Sequence, residues 1–195
     1  MTNNIDLLLF STDPVFSEVA GRAGIDGFII DWEDRVRFQR LQSTGDISSP
    51  DTAIDLERIT SITNQPVWCR INQFGEWSQG EIELAISSGA DLILLPMVRT
   101  VEEVTKFLSI VKGRTKVGIL VETIEACACA DKLARLPLDC IYVGLWDLFL
   151  SRGNDGDIFT PLTDGTVEKL RHDFHKHHFG VGGLTTIDKG FPVPC

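Results

Sequence analysis

Two acidic residues each follow an apolar run with the composition of a buried strand. Glu122 ends the run KVGILVE at 116–122, and Asp147 comes shortly after CIYVG at 140–144. In folds with a parallel sheet, side chains at the carboxyl ends of the strands gather at one rim, where active sites form. Two carboxylates at that rim can hold a hard divalent cation such as Mg²⁺, which favours oxygen ligands. Such a site suits an enzyme that polarises a carbonyl or stabilises an enolate.

Other charged residues fall at the ends of neighbouring predicted strands. Asp31, Glu33 and Asp34 follow GFII at 27–30, and Arg70 follows VWC at 67–69. Because an unpaired buried charge is costly, several carboxylates and one arginine on a common rim indicate a built site. A purely structural ion pair is the alternative. No lysine lies at the carboxyl end of a predicted strand, which argues against a covalent Schiff-base mechanism.

Strand-like and helix-like segments alternate along the chain and must position these residues. The predicted strands are Asp6–Ser11, Gly27–Trp32, Pro66–Ile71, Asp91–Met97, Val117–Glu122, Cys140–Leu145 and Gly180–Thr185. The predicted helices are Pro14–Ala23, Asp51–Thr60, Gln79–Ser88, Val101–Val111, Ile124–Leu136 and Thr166–His177. This alternation indicates right-handed βαβ units and a parallel sheet.

We predict an α/β fold with a single domain over residues 1–195, a (β/α)₈ TIM-type barrel that lacks its eighth βα unit. That barrel usually takes roughly 250 residues, and this chain has 195. A truncated chain, an open barrel or a neighbouring subunit that closes the gap would each account for the shortfall. Because an exposed sheet edge promotes association, we expect a truncated chain or a homo-oligomer. An open doubly wound sheet is the alternative fold.

The composition excludes several classes of function. A formal net charge of −10 argues against nucleic-acid partners and anionic membrane surfaces, since both need clustered Lys and Arg. No apolar run approaches the roughly 20 residues of a membrane-spanning helix. The start, MTNNIDLLLF, lacks the pattern of a signal peptide, so we expect a cytoplasmic protein. The five cysteines have neither zinc-site nor disulfide spacing and are expected to be unpaired thiols.

The segment 34–50 is long for a loop between a strand and a helix. It follows the second predicted strand at the carboxyl rim, so it could cover the site. Its arginines, Arg35, Arg37 and Arg40, could attract an anionic substrate. A solvated surface loop is the alternative interpretation.

Five motifs occur in an order that resembles one enzyme family. They are AGIDGFIIDWED at 23–34, VWCRIN at 67–72, GADLILLPMV at 89–98, GILVET at 118–123 and YVGLWDL at 142–148. Together they resemble the HpcH/HpaI aldolase and citrate lyase β-subunit family of metal-dependent carbon–carbon lyases, from about Asp6 to Pro194. The resemblance implies a (β/α)₈ barrel of the phosphoenolpyruvate/pyruvate type.

The resemblance implies a metal site and a substrate contact. Glu122 and Asp147 match the family's ligands for Mg²⁺ or Mn²⁺. Arg70 matches the arginine that contacts the carbonyl or enolate oxygen of the substrate.

The same resemblance implies supporting roles for residues nearby. The backbone amides around Gly144, Leu145 and Trp146 would hold the substrate carboxylate. Asp31 and Glu33 would position bound water or neighbouring residues, and they are the candidates for proton transfer.

Two positions favour different branches of the family. The form DWED places Asp34 where the 2-oxo-acid aldolases have a histidine, which is closer to the citrate and malyl-thioester lyases. Met97 stands where the thioester lyases have a lysine, as it does in the aldolases. The substrate class therefore stays open between a 2-oxo acid and a hydroxyacyl thioester.

We expect a Mg²⁺- or Mn²⁺-dependent aldolase or lyase that cleaves or forms such a substrate through a metal-stabilised enolate. Its partner is then a small-molecule oxo acid or acyl thioester. Two alternatives stay open. One is an oxo-acid decarboxylase of the same superfamily, and the other is a catalytically degenerate barrel that acts as a binding protein or as a subunit of a complex.

Overall fold

The computed structural model describes residues 5–34 and 51–182 of the chain. Within these residues seven parallel strands form one sheet, ordered as in the sequence. The strands are β1 Leu8–Phe10, β2 Gly27–Asp31, β3 Val67–Arg70, β4 Leu92–Leu95, β5 Lys116–Leu120, β6 Cys140–Gly144 and β7 His178–Gly182. This order without reversal is that of an α/β barrel rather than a doubly wound sheet. The barrel-like α/β fold is confirmed, and closure into a complete (β/α)₈ barrel stays a prediction.

The helices connect successive strands. They are α1 Pro14–Ala23, α2 Ala53–Ile62, α3 Ser78–Ser87, α4 Val101–Val111, α5 Ile124–Ala128, α6 Ala130–Leu133, α7 Leu145–Ser151, α8 Thr160–Thr163 and α9 Thr166–Asp173. Thr52 and Thr100 each begin a helix with a capping box. Thr123 caps α5 by accepting from the amide of Ala126. Since Thr123 directly follows Glu122, this cap helps to hold the chain where it leaves β5.

The element boundaries differ from the predicted ones near the end of the chain. The helix predicted over Ile124–Leu136 is divided at Cys129 into α5 and α6. The last helix ends at Asp173 rather than His177, and β7 begins at His178 because that residue pairs with Cys140 in the ladder. The predicted strand residues 183–185 lie outside the described residues. The short helices α7 and α8 occupy a stretch for which no helix was predicted.

Alternate strand residues face two different layers, as in any pleated sheet. One face packs against the helices and forms the main core, with fully buried residues such as Phe28, Ile93 and Ile119. The inner face carries a smaller apolar cluster formed by Leu92, Leu94, Leu120 and Cys140, with Trp68 and Tyr142 beside it. Arg70 and Glu122 lie two residues beyond Trp68 and Leu120, so they continue this inner face at the carboxyl end of the sheet.

Other expectations concern the loop arginines, the cysteines and membrane-spanning segments. The arginines of the predicted covering loop, Arg35, Arg37 and Arg40, lie outside the described residues. The cysteines within them, Cys69, Cys127, Cys129 and Cys140, are free thiols. In the part of the chain that the structure describes, no helix combines the length and apolar character needed to cross a membrane. The cytoplasmic location stays a prediction.

Candidate active site

Asp31 and Arg70 are the last residues of neighbouring strands, β2 and β3, and they are partners in the register. The Arg70 guanidinium donates to both carboxylate oxygens of Asp31, with Nε 2.9 Å from Oδ1 and Nη2 2.7 Å from Oδ2. The two side chains are only 15% and 12% exposed. This two-point contact sets both the position and the plane of the guanidinium.

Glu33 and Phe10 hold the same guanidinium from other directions. Glu33 Oε2 lies 3.4 Å from Arg70 Nη1, and Glu33 is buried. The Phe10 ring of β1 lies against the guanidinium, with its centroid 5.2 Å from Arg70 Cζ, which is a cation–π distance. Burial acts to lower the pKa of Arg70, but the charges of Asp31 and Glu33 outweigh it and hold that pKa above its usual value. Arg70 is therefore a permanent, immobilised cation.

Glu122 follows β5 at the same end of the sheet and is 1% exposed. The backbone N–H of Met97 donates to Glu122 Oε1 at 2.8 Å. Met97 has a φ of 55°, a left-handed conformation that is unfavourable for a residue other than glycine and often marks functional sites. A Cβ on Gly144 would overlap Glu122 Oε2. Glycine at 144 thus lets the end of β6 approach the carboxylate closely.

The Glu122 carboxyl lies in a strongly acidic environment. Burial, then the charges of Asp147 and Glu33, raise the pKa of Glu122 to about 8, although Arg70 and the Met97 amide act to lower it. Asp147 lies in the first turn of α7, which begins directly after β6. The position of α7 is therefore what brings the second predicted metal ligand toward the first.

This donor set fits a divalent cation. Asp31 and Glu33 contact the guanidinium of Arg70, whereas Glu122 is exposed to the charges of Asp147, Glu33 and Arg70. Glu122 Oε1 is held by the Met97 amide, whereas Oε2 faces the space that the missing side chain of Gly144 leaves open. Within residues 5–34 and 51–182 no group of three or more His, Cys, Asp or Glu is arranged around a metal position. Mg²⁺ accepts one or two carboxylates with water or substrate oxygens in the other positions, so the pair Glu122 and Asp147 has suitable chemistry, and its role as a metal site stays a prediction.

Asp51 supports the site but was not predicted to belong to it. Its Oδ2 accepts from the amide of Asp31 at 2.8 Å, and its own amide donates to the carbonyl oxygen of Asp31 at 2.9 Å. Burial raises the pKa of Asp51, and a backbone hydrogen bond from Asp31 opposes this. Asp51 precedes α2 and lies 20 residues after Asp31 in the chain. The local sequence therefore gives no indication of this contact.

Asn72 is a second supporting residue that the sequence analysis did not assign to the site. Its Nδ2 donates to the carbonyl oxygen of Trp32, and its Oδ1 accepts from the amide of Asp34, both at 3.0 Å. The carboxylate of Glu81 on α3 accepts from Asn72 N and Nδ2. These contacts attach the chain after β2 to the chain after β3. Asn72 is the last residue of the motif VWCRIN, just after the end of β3. This position at a strand end was the signal in the sequence that could have assigned it to the site.

The structure brings the five predicted charged residues to one end of the sheet, namely Asp31, Glu33, Arg70, Glu122 and Asp147. The segment predicted to bind a carboxylate, Gly144 to Trp146, begins at the same end, where β6 ends. Gly144 lies against Glu122. Leu145 is buried, and the ring of Trp146 packs against Phe149 with centroids 5.6 Å apart. The role of their backbone amides in binding substrate stays a prediction.

Solved structures with the same architecture include members of one enzyme family. An HpcH/HpaI aldolase from Desulfitobacterium hafniense DCB-2 superposes with a TM-score of 0.72 at 16% identity, over 94% of this chain and 80% of that one. An HpcH/HpaI aldolase/citrate lyase family protein from Burkholderia cenocepacia J2315 gives 0.71 at 16% identity, over 92% and 79%. The fold is that of the HpcH/HpaI aldolases and citrate lyases. The resemblance seen in the motifs is thus confirmed at the level of the fold.

A further neighbour was solved with small molecules bound. The citrate lyase β subunit from M. tuberculosis, complexed with oxaloacetate and magnesium, superposes with a TM-score of 0.61 at 19% identity, over 91% of this chain and 78% of that one. No protein-family model and no curated relative matches this chain by sequence. At such low identity the likeness establishes a shared fold and leaves the substrate to be argued from the site.

Proposed function

We propose that the protein is a Mg²⁺- or Mn²⁺-dependent carbon–carbon lyase that cleaves or forms a 2-oxo acid or a hydroxyacyl thioester through an enolate. The observation that carries the proposal is the buried carboxyl of Glu122, whose pKa is raised to about 8 by burial and by Asp147 and Glu33. A bound dication would relieve this repulsion. The fixed guanidinium of Arg70 provides the complementary charge for an oxyanion. Both features are what enolate-forming catalysis requires.

Glu122 and Asp147 are the residues that would hold the cation. When bound there, the cation supplies Lewis-acid polarisation of a substrate carbonyl and its adjacent carboxylate. Arg70 has five N–H bonds, of which two are used by Asp31 and one faces Glu33. The remaining N–H bonds would donate to the oxygen on which negative charge develops. Because the guanidinium is already held in place, it needs no reorganisation during the reaction.

Proton transfer is assigned to Glu33 rather than to Asp31. Both oxygens of Asp31 accept from Arg70, so Asp31 acts by positioning the guanidinium. Glu33 lies farther from the same guanidinium, with its Oε2 3.4 Å from Nη1, and is the carboxylate proposed for proton transfer. The amides of Leu145 and Trp146, which follow Gly144 at the start of α7, are proposed to hold the substrate carboxylate.

The structural neighbours support this class of reaction. They include HpcH/HpaI aldolases and a citrate lyase β subunit complexed with oxaloacetate and magnesium. We propose that this chain likewise takes a small oxo acid or an acyl thioester. We also propose that it acts in the cytoplasm as a homo-oligomer, which light scattering coupled to size-exclusion chromatography measures directly.

Isothermal titration calorimetry with oxalate, a planar mimic of an enolate of pyruvate, tests the metal site. The wild type is expected to bind oxalate only with Mg²⁺ or Mn²⁺ present, and Glu122→Gln is expected to lose this binding. Glu125→Gln changes an exposed carboxylate three residues later and should bind as the wild type does. Equal binding of oxalate without metal, or by the Glu122→Gln protein, would contradict the proposal.

A panel of substrates then separates the reactions. Metal-dependent cleavage of 4-hydroxy-2-oxo acids or of hydroxyacyl thioesters supports a lyase. Decarboxylation of oxaloacetate without any aldol cleavage supports the decarboxylase instead. A protein that shows no metal-dependent binding of any of these acids is a degenerate barrel.

A further inference from the structure

Tyr142 is the one tyrosine of the chain, and the reaction proposed above does not use it. It lies on the inner face of β6, next to the small apolar cluster inside the sheet. A Cβ added to Gly180 would lie 2.8 Å from ring atoms of Tyr142, and one added to Gly182 would also collide with the ring. Two glycines at alternate positions of β7 thus leave the space that the tyrosine ring fills.

The hydroxyl of Tyr142 is directed toward the carboxyl end of the sheet. Its Cγ lies 3.8 Å from the Cβ position of Gly180, whereas its Oη lies 3.0 Å from that of Gly182. Gly182 is the last residue of β7 and pairs with Gly144, against which Glu122 Oε2 lies. Neighbouring strands are about 5 Å apart. The hydroxyl and the Glu122 carboxylate therefore lie on opposite sides of Gly144, at one level of the sheet.

The hydroxyl is available as a hydrogen-bond donor. Burial, with a smaller effect of Cys140, raises the pKa of Tyr142, and the charge of Arg70 opposes this. The phenol therefore keeps its proton at neutral pH. Within the described part of the chain no side chain or backbone group forms a hydrogen bond with Tyr142 Oη. A half-buried donor at a rim of charged residues gains by meeting an oxygen of a bound ligand.

We propose that Tyr142 is a specificity-determining residue that donates a hydrogen bond from Oη to an oxygen of the bound acid. This inference rests on the proposed function and extends it. Arg70 donates from β3, and Tyr142 from β6, on the same inner face. A compact acid with oxygen atoms at both ends meets both donors, whereas an acid with an apolar end leaves the tyrosine donor unpaired.

The single tyrosine allows a direct measurement on the whole protein. With tyrosine labelled by ¹³C at Cζ, the NMR spectrum contains one tyrosine signal, and the chemical shift of Cζ responds to hydrogen bonding by the hydroxyl. We expect this signal to move when oxalate is added in the presence of Mg²⁺. Added sodium chloride of equal ionic strength should leave it in place.

The variant Tyr142→Phe removes only the hydroxyl, because the ring that fills the space over Gly180 and Gly182 remains. We expect the same Tm and Mg²⁺ affinity as the wild type, with oxalate bound about tenfold more weakly, as for the loss of a hydrogen bond to a charged acceptor. Propionate with Mg²⁺, which lacks the second set of oxygens, should bind the two proteins equally.

The outcomes distinguish this inference from the proposed function. If the wild type binds oxalate with Mg²⁺ but the Cζ signal does not move, the role of Tyr142 is wrong and the metal site stands. Unchanged oxalate affinity of Tyr142→Phe would likewise overturn the role of Tyr142 alone. If the wild type fails to bind oxalate with any divalent metal, the proposed function is wrong and the inference falls with it.

Discussion

The buried charges on the two sides of the site have opposite kinds of neighbours. On β2 and β3, the guanidinium of Arg70 is shared between Asp31 and Glu33, and both oxygens of Asp31 are engaged by it. On β5 and β6, Glu122 meets the charge of Asp147, and its pKa rises to about 8. We refer to these as the arginine side and the acidic side.

The difference shows which part of the site is complete in the folded chain. On the arginine side the charges compensate one another, because Asp31 and Glu33 both contact Arg70. The acidic side lowers the stability of the fold, since Glu122 is hard to ionise there. A cation that binds the native state alone would restore that stability by mass action. Relief of this unfavourable electrostatic energy would favour binding at the proposed metal site.

The largest effect on stability is expected from Arg70→Met. Removing one partner of a buried ion pair leaves carboxylates in a poorly solvated place, which lowers the free energy of unfolding by about 3–5 kcal/mol. Urea denaturation measures it. Arg114→Met is the matched control, because Arg114 makes two contacts of 2.7 Å with Glu83 in a pair whose side chains are 38% and 51% exposed. The control should change stability much less, and equal effects would contradict the distinction between the two environments.

We expect the acidic side to make the free energy of unfolding depend on pH. The pKa of Glu122 rises from 4.5 to about 8 on folding, so between these values the native state keeps a proton that the unfolded state releases. The free energy of unfolding of the metal-free protein should therefore fall as pH rises from 4.5 to 8, by something on the order of 3 kcal/mol. Saturating Mg²⁺ should offset most of the fall near pH 8.

Glu122→Gln provides the control for this pH profile. The amide cannot ionise, so the decline between pH 4.5 and 8 should become shallower and should no longer respond to Mg²⁺. Asp164, whose pKa is lowered to about 2 through its bonds to Thr166 and Arg152, affects stability only in more acidic solution. An unchanged slope in the Glu122→Gln protein would show that another group causes the decline.

A change at Gly144 should disturb the acidic side without removing a charge. The Cβ of Gly144→Ala would overlap Glu122 Oε2, so the carboxylate must move, and Mg²⁺ should bind about tenfold more weakly, as a shifted ligand typically causes. Gly80→Ala on α3 places a Cβ in open space and should leave Mg²⁺ affinity unchanged while slightly stabilising the helix. Calorimetric titration compares the two, and equal Mg²⁺ affinities would refute the close approach at Gly144.

The smallest effect is expected on the arginine side, from Asp51→Asn. The amide oxygen of asparagine can still accept from the amide of Asp31, so that hydrogen bond remains. Since burial raises the pKa of Asp51, losing its charge should slightly raise the free energy of unfolding near pH 7. A large loss in urea denaturation would show that the carboxylate charge itself supports Arg70.

Features set by local sequence could be predicted, whereas features set by contacts between residues far apart in the chain could not. The alternation of apolar runs with amphipathic segments predicted the parallel strands, and the ends of those runs supplied Asp31, Arg70 and Glu122. Asp147 was predicted from its place just after the run CIYVG, but the helix α7 that carries it was not among the predicted helices. The early start of β7 was missed because its pairing with β6, rather than local propensity, sets where the strand begins. The break at Cys129 was also missed.

Residue types and their spacing were thus sufficient to determine the parallel α/β architecture, the rim at which chemistry-bearing side chains emerge, and the identity of the charged residues on it. Only the tertiary structure decided how these residues are partnered. The bidentate bond of Asp31 to Arg70, the amide of Met97 on Glu122 and the approach of Gly144 to that carboxylate each join separate βα units. Distances between such units are set by packing of the sheet and helices, and the ionisation of Glu122 depends on those distances.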